Sequence, residues 1–149
     1  MGFRRKSREL ALQVLFQADY TQGQDGQALS FPILSKSASQ VRAFAEVLVK
    51  GVFLHRDEID RMIGRYTEHW APERMALIDR CVLQFSTFEL LYLEEIPPKV
   101  TLNEAIEIAK KYGNEDSGAF VNGILDHIHQ DLFPSGLVPR KSGFPGDAD

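Results

Sequence analysis

KVTLNEAIEIAKKYGNEDSGAFVNGILDHIHQDLF, residues 99–133, carries the plainest structural pattern in the chain. Thr101 and Glu104 have the spacing of a helix-capping box, and Ile106 and Ala109 continue an apolar face behind them. Tyr112-Gly113 stops that helix. Asn114 is placed to cap a second one, and Glu115 and Asp116 complement its positive end. Phe120, Val121, Ile124, Leu125, Ile128 and Leu132 then return every three or four residues, a broad stripe made for burial, until Pro134 punctuates the end. Two helices with a tight join demand other helices to pack on.

The rest of the chain supplies them. From Arg8 to about Gln22, the residues Leu10, Ala11, Val14, Leu15 and Ala18 form one stripe. Gly23 to Lys36, with two glycines and Pro32, reads as a connection that Phe31, Ile33 and Leu34 pin to the core. Val41, Phe44, Ala45, Leu48 and Val52 define a helix from about Ala38. A break at Arg56-Asp57 precedes a short stripe of Ile59, Met62, Ile63 and Tyr66. Pro72 suits a first helical turn, opening a helix that buries Ile78, Val82, Phe85 and Phe88 before Pro97-Pro98. No β-alternation is sustained. The expected fold is all-α, a compact bundle of about six or seven helices, in one domain over residues 1–133. Residues 134–149, rich in glycine and proline, read as a flexible tail.

Composition narrows the function classes. The chain has 149 residues, 44% of them hydrophobic, with no apolar run long enough to span a bilayer and no secretory signal. Its lone cysteine, Cys81, cannot form an internal disulfide, which fits a reducing cytoplasm. Cys81 sits among Ile78, Val82 and Phe85, a setting for packing and not for a reactive thiolate. His127 and His129 are two apart and face different ways on a helix, and His127 with Asp131 is an incomplete metal site. Neither metal nor cofactor is expected, nor an enzyme.

Charge points elsewhere. The chain is acidic, with a formal net charge of −4, yet Arg4, Arg5, Lys6 and Arg8 crowd its first eight residues. Such a cluster meets phosphate locally without making the whole surface attract nucleic acid. The plainer account of the same cluster is a solvated, partly disordered terminus. Selective recognition of unpaired bases needs exposed aromatic rings as well. Phe16 and Phe120 are candidates for that role, and core burial is the competing account of each. Lys110 and Lys111 extend the positive patch or simply promote solubility.

The run from Arg4 to Phe16 (RRKSRELALQVLF), Asp79-Arg80, Phe88-Glu89-Leu90-Leu91 and the stretch from Ile96 to Asp126 together resemble the NusB family of bacterial transcription antitermination factors. The likeness covers most of Arg4 to Leu132. The resemblance implies an all-helical RNA-binding factor that associates with the ribosomal protein NusE. Together they recognise boxA-containing single-stranded RNA and join the RNA polymerase antitermination complex with other Nus factors, supporting ribosomal RNA transcription and processing. It places Arg4, Arg5, Lys6 and Arg8 on phosphates, and Asp116 and Phe120 on one helical face where a base can stack. Phe16 matches a position often held by tyrosine near the RNA surface, and Glu89 matches a glutamate on the NusE side. Ala119 departs from the lysine many relatives carry there, which removes one phosphate contact. A homodimer formed through the same surfaces in the absence of a partner is compatible with this reading. Two alternatives stand beside it: the related helical domain of some ribosomal RNA methyltransferases, for which the sequence has no glycine-rich cofactor loop, and a structural or protein-only adaptor with incidental RNA attraction.

Overall fold

A computed structural model describes residues 2–21, 31–67 and 75–133, and among these the chain forms helices α1 (Gly2–Thr21), α2 (Pro32–Ser35), α3 (Ser39–Leu54), α4 (Arg56–Gly64), α5 (Leu77–Tyr92), α6 (Pro98–Tyr112) and α7 (Ser117–Leu132). They are organised around α5, in which every residue from Cys81 to Tyr92 is buried. A helix buried on all sides needs neighbours on all sides, and α5 packs against α1, α3, α4, α6 and α7. Phe85, Phe88 and Leu90 fill the centre of the core. Gly51 of α3 sits against the Phe88 ring so closely that a Cβ there would overlap it.

Helix α1 starts at Gly2, well before the apolar stripe begins at Leu10. Local propensity does not explain so early a start, because the first turn has no acidic residue to oppose its cations. Tertiary anchors do. Arg4 lies over the Phe44 ring of α3, and Arg5 pairs with Glu104 of α6. The basic opening is therefore the first turns of a 20-residue helix and not a loose terminus.

The stretch expected to be a connection contains the short α2, with Pro32 at its start and Leu34 buried in the core. The α3–α4 break falls at His55, whose ring stacks on Tyr92 with centroids 4.2 Å apart, while the Tyr92 hydroxyl donates to Glu58 Oε1 at 2.6 Å. Pro72, expected to open α5, and the tail from Pro134 lie outside the described residues.

The capping box is replaced by another arrangement. Pro98 occupies the first turn of α6, where its missing N–H costs nothing and its fixed φ sets the helix early. Thr101 and Glu104 are thereby inside the helix, their side chains turned to α5 and α1. At the α6–α7 join the stop at Tyr112-Gly113 stands where the sequence places it. Asn114 fastens that join: its Oδ1 accepts from the Asp116 backbone N–H at 2.8 Å, and its own N–H donates to Ser117 Oγ at 3.0 Å.

Candidate nucleic-acid interface

Successive residues on a helix diverge by about 100°, so the cations at the start of α1 point apart. Arg4 turns toward α3, its guanidinium 4.4 Å from the Phe44 ring centroid. Arg5 turns toward α6 and grips Glu104 with two hydrogen bonds, Nε to Oε1 and Nη2 to Oε2, the latter at 2.9 Å. That pairing raises the Arg5 pKa and, chiefly through the same hydrogen bond, holds the Glu104 carboxyl below its usual range. Lys6 is exposed and makes no ion pair among the described residues. An open pocket between Arg4, Arg5, Ile96, Pro97 and Val100 lies beside them.

Arg8 and Glu89 require a correction. The Arg8 side chain is 3% exposed and that of Glu89 0%. Arg8 Nε donates to Glu89 Oε2 at 2.7 Å and Nη2 to Oε1 at 2.9 Å, while the Thr101 hydroxyl donates to Oε1 at 2.8 Å. A carboxylate enclosed by an arginine fork and a hydroxyl is satisfied internally. It has no surface left for NusE, and the guanidinium has none for phosphate. Arg8 Nη1 also lies 3.7 Å from Glu104 Oε1, so one charge network fastens α1 to α5 and α6. The network holds the Arg4–Lys6 turn in place. Glu89 and its partner are 81 residues apart, beyond the reach of any helical spacing argument.

The second half of α1 carries rings. Phe16 is half-buried against the core. Tyr20, one turn on, stacks with it, ring centroids 6.3 Å apart and planes 11° from parallel. The apolar stripe does not single out Tyr20, although its four-residue offset from Phe16 is a signal that could find it. Glu9, also on α1, accepts from Lys111 Nζ at 3.0 Å, a hydrogen bond that raises the lysine pKa, and Lys111 also lies over the Tyr112 ring.

The start of α7 stands at the same end of the bundle. Asp116 is exposed, and Phe120 is half-buried, part of its ring packed on the core. The Phe120 N–H donates to the Asp116 carbonyl at 3.0 Å, so the two share a helical face as their spacing implies. Ala119 is exposed, and the aliphatic stem of Lys110 packs along the neighbouring Gly118. A lysine of α6 thus stands beside the first turn of α7, where the Ala119 position supplies no cation.

Asp79 and Arg80, unassigned by sequence, tie these parts together. The Asp79 carboxyl is buried and bonded to Ser117 at the start of α7; desolvation pushes its pKa up, and the Ser117 bond offsets only part of that rise. Arg80 Nη2 donates to Asp19 Oδ2 at 3.1 Å. Consecutive residues of α5 therefore hold α7 and α1 on either side of it.

The remaining candidates are structural. Cys81 is buried, and desolvation pushes its thiol pKa up to about 12. His127 stacks on Tyr66, whose hydroxyl donates to Asp131. Among the described residues no three His, Cys, Asp or Glu side chains gather as a metal site, and no helix is long and apolar enough to cross a membrane.

Comparison with known proteins agrees with this architecture. The profile described as the NusB family matches residues 5–130. Transcription antitermination protein NusB of Geobacter sulfurreducens is 48% identical over 135 residues, covering 89% of this chain and 97% of the relative. Its namesake from Myxococcus xanthus is 46% identical over 133 residues, covering 86% and 95%. Among solved structures, T. maritima NusB superposes with a TM-score of 0.79 at 41% identity, over 86% of this chain and 91% of that one. A structure of antitermination factors NusB and NusE in complex with dsRNA matches at 0.77 and 26% identity, over 88% and 98%. Sequence and fold agree over most of the chain, and the chain belongs to the NusB family.

Proposed function

We propose that the chain is a transcription antitermination factor that binds boxA-type single-stranded RNA together with NusE, and that it works by binding alone. What supports this reading is membership of the NusB family, which includes a protein solved with NusE and dsRNA, together with the cations, rings and acid carried by α1 and the start of α7. Arg4 and Lys6, with the outward part of Arg5, neutralise phosphates. Phe16 and Phe120 offer partly exposed rings to unstacked bases, and the Asp116 carboxylate accepts from a base edge. Arg8 and Glu89 serve as the frame beneath that surface, and NusE docks elsewhere than on the Glu89 carboxylate. Delivery to RNA polymerase with the other Nus factors follows from the RNA–NusE pair.

The test is an equilibrium fluorescence titration of labelled boxA RNA and a scrambled control, with and without NusE, at matched salt. Selective binding that tightens with NusE is expected. Equal, weak binding to both RNAs would reduce the surface to generic electrostatic attraction and leave a protein-only adaptor in its place.

A further inference from the structure

Tyr20 is 77% exposed, more than any other large hydrophobic side chain among the described residues. It adds little to the core, whose α1 stripe ends at Ala18. Yet it is not a stray ring. Phe16, one turn earlier on α1, stacks with it, the two planes 11° from parallel. One face of the tyrosine is thus backed by an anchored aromatic while the remainder is open to solvent. A flat, open face continuing an ordered stack suits another flat π-system, because aromatic rings favour offset parallel contact and every nucleobase has such a face.

Its surroundings suit an anionic strand. The acid next to it, Asp19, is already engaged by Arg80 at 3.1 Å, so its charge is offset. Arg80 keeps 31% of its side chain exposed. Through Asp79 and Ser117 the same turn of α5 adjoins the start of α7, where Asp116 and Phe120 stand. Tyr20 therefore occupies the same end of the bundle as the proposed base-reading face, beyond Phe16 along α1. From the basic first turns, α1 runs past Phe16 to Tyr20.

We infer that Tyr20, stacked on Phe16 beside the Arg80–Asp19 pair, is an additional nucleobase platform that extends the bound RNA strand past Phe16. This rests on the RNA-binding reading above and adds to it a residue, a direction along α1 and a longer footprint. Stacking is indifferent to base identity, so Tyr20 contributes length and affinity more than sequence choice.

The experiment compares wild type, Tyr20→Phe and Tyr20→Ala in the presence of NusE, by fluorescence titration against boxA RNA with natural flanks and against versions trimmed stepwise from either end. Tyr20→Ala should bind the longest RNA about tenfold more weakly. Tyr20→Phe should stay within about twofold of wild type, because the ring and not the hydroxyl makes the stack. The alanine defect should vanish once the RNA is trimmed past one particular nucleotide, and the salt slope should not change, because no charge is removed. Circular dichroism melting checks that all three proteins are equally folded. If Tyr20→Ala binds every RNA as wild type does, Tyr20 is no platform and the wider reading stands. If it weakens NusE binding while leaving RNA affinity alone, Tyr20 is a protein contact and the inference is overturned. Failure of wild type to prefer boxA over scrambled RNA would sink the wider reading and this inference with it.

Discussion

Replacing Arg8 by methionine separates two roles that the basic opening of the chain leaves entangled. In the structure Arg8 is the fork that holds Glu89, with bonds of 2.7 and 2.9 Å, and Thr101 supplies the remaining donor at 2.8 Å. Removing the guanidinium leaves a buried carboxylate with one hydroxyl for company. Breaking a buried pair from one side costs roughly 3–5 kcal/mol, since the charge left behind has neither its solvation nor its partner. A domain of this size has about 5–15 kcal/mol in all, so the variant should remain folded at low temperature but unfold at much lower urea concentration. Arg8→Met combined with Glu89→Leu removes both charges and should recover most of that loss, giving a coupling of a few kcal/mol in a double-mutant cycle. Thr101→Val removes one bond to a charged acceptor and should cost roughly 1.5–3 kcal/mol. RNA binding supplies the contrast. Deleting one cation that neutralises a phosphate of single-stranded RNA makes the log–log salt slope shallower by about 0.7. Lys6→Ala should show that change, and Arg8→Met should leave the slope where it is. Urea unfolding followed by fluorescence, with RNA titrations at several salt concentrations, measures both. An Arg8→Met protein as stable as wild type, with a shallower salt slope, would refute the frame and return Arg8 to the ligand surface.

Three further outcomes are expected. Burial holds the Asp79 carboxyl above its ordinary pKa, so between the ordinary carboxylate range and the raised value the folded state binds more protons than the unfolded, and stability falls as pH rises; Asp79→Asn should flatten that fall in denaturant curves taken at stepped pH, and parallel curves for variant and wild type would contradict the assignment. Gly51→Ala drives a methyl group into the Phe88 ring and should cost about 1–3 kcal/mol of stability in urea, unless the midpoint stays put and shows that the ring gives way. Cys81, buried with its pKa pushed up to about 12, should resist thiol reagents at neutral pH until the protein is unfolded, and prompt labelling of the native state would show the site to be open.

The helices are legible because each carries its own period. The stripes through Leu10–Ala18, Val41–Val52 and Phe120–Leu132 are local facts, and so is the stop at Gly113. Contacts made across the fold are not legible in this way. Thr101 and Glu104 have the spacing of a cap, but Pro98 starts α6 earlier and their side chains are recruited by Glu89 and Arg5. Glu89 resembles a surface acid until its neighbours on α1 and α6 are in place. Asp116 and Phe120 lie on one face because that depends only on a four-residue offset. Tyr20 has the same offset from Phe16, but its interest lies in its exposure, which belongs to the packed bundle and not to the string of residues.

The enclosure of α5 has a consequence for motion. Its backbone amides can exchange with solvent hydrogen only when the helices around it come away, so from Cys81 to Tyr92 they should exchange last and report opening of the whole domain. The first turn of α1, ahead of the buried Ser7 and Arg8, is held by a ring contact and a partly exposed ion pair and should open more readily than the rest. Binding a partner there would slow exchange at the α1 terminus while leaving the slowest amides governed by global stability. The molecule thus separates a responsive outer edge from an interior that moves only as one unit.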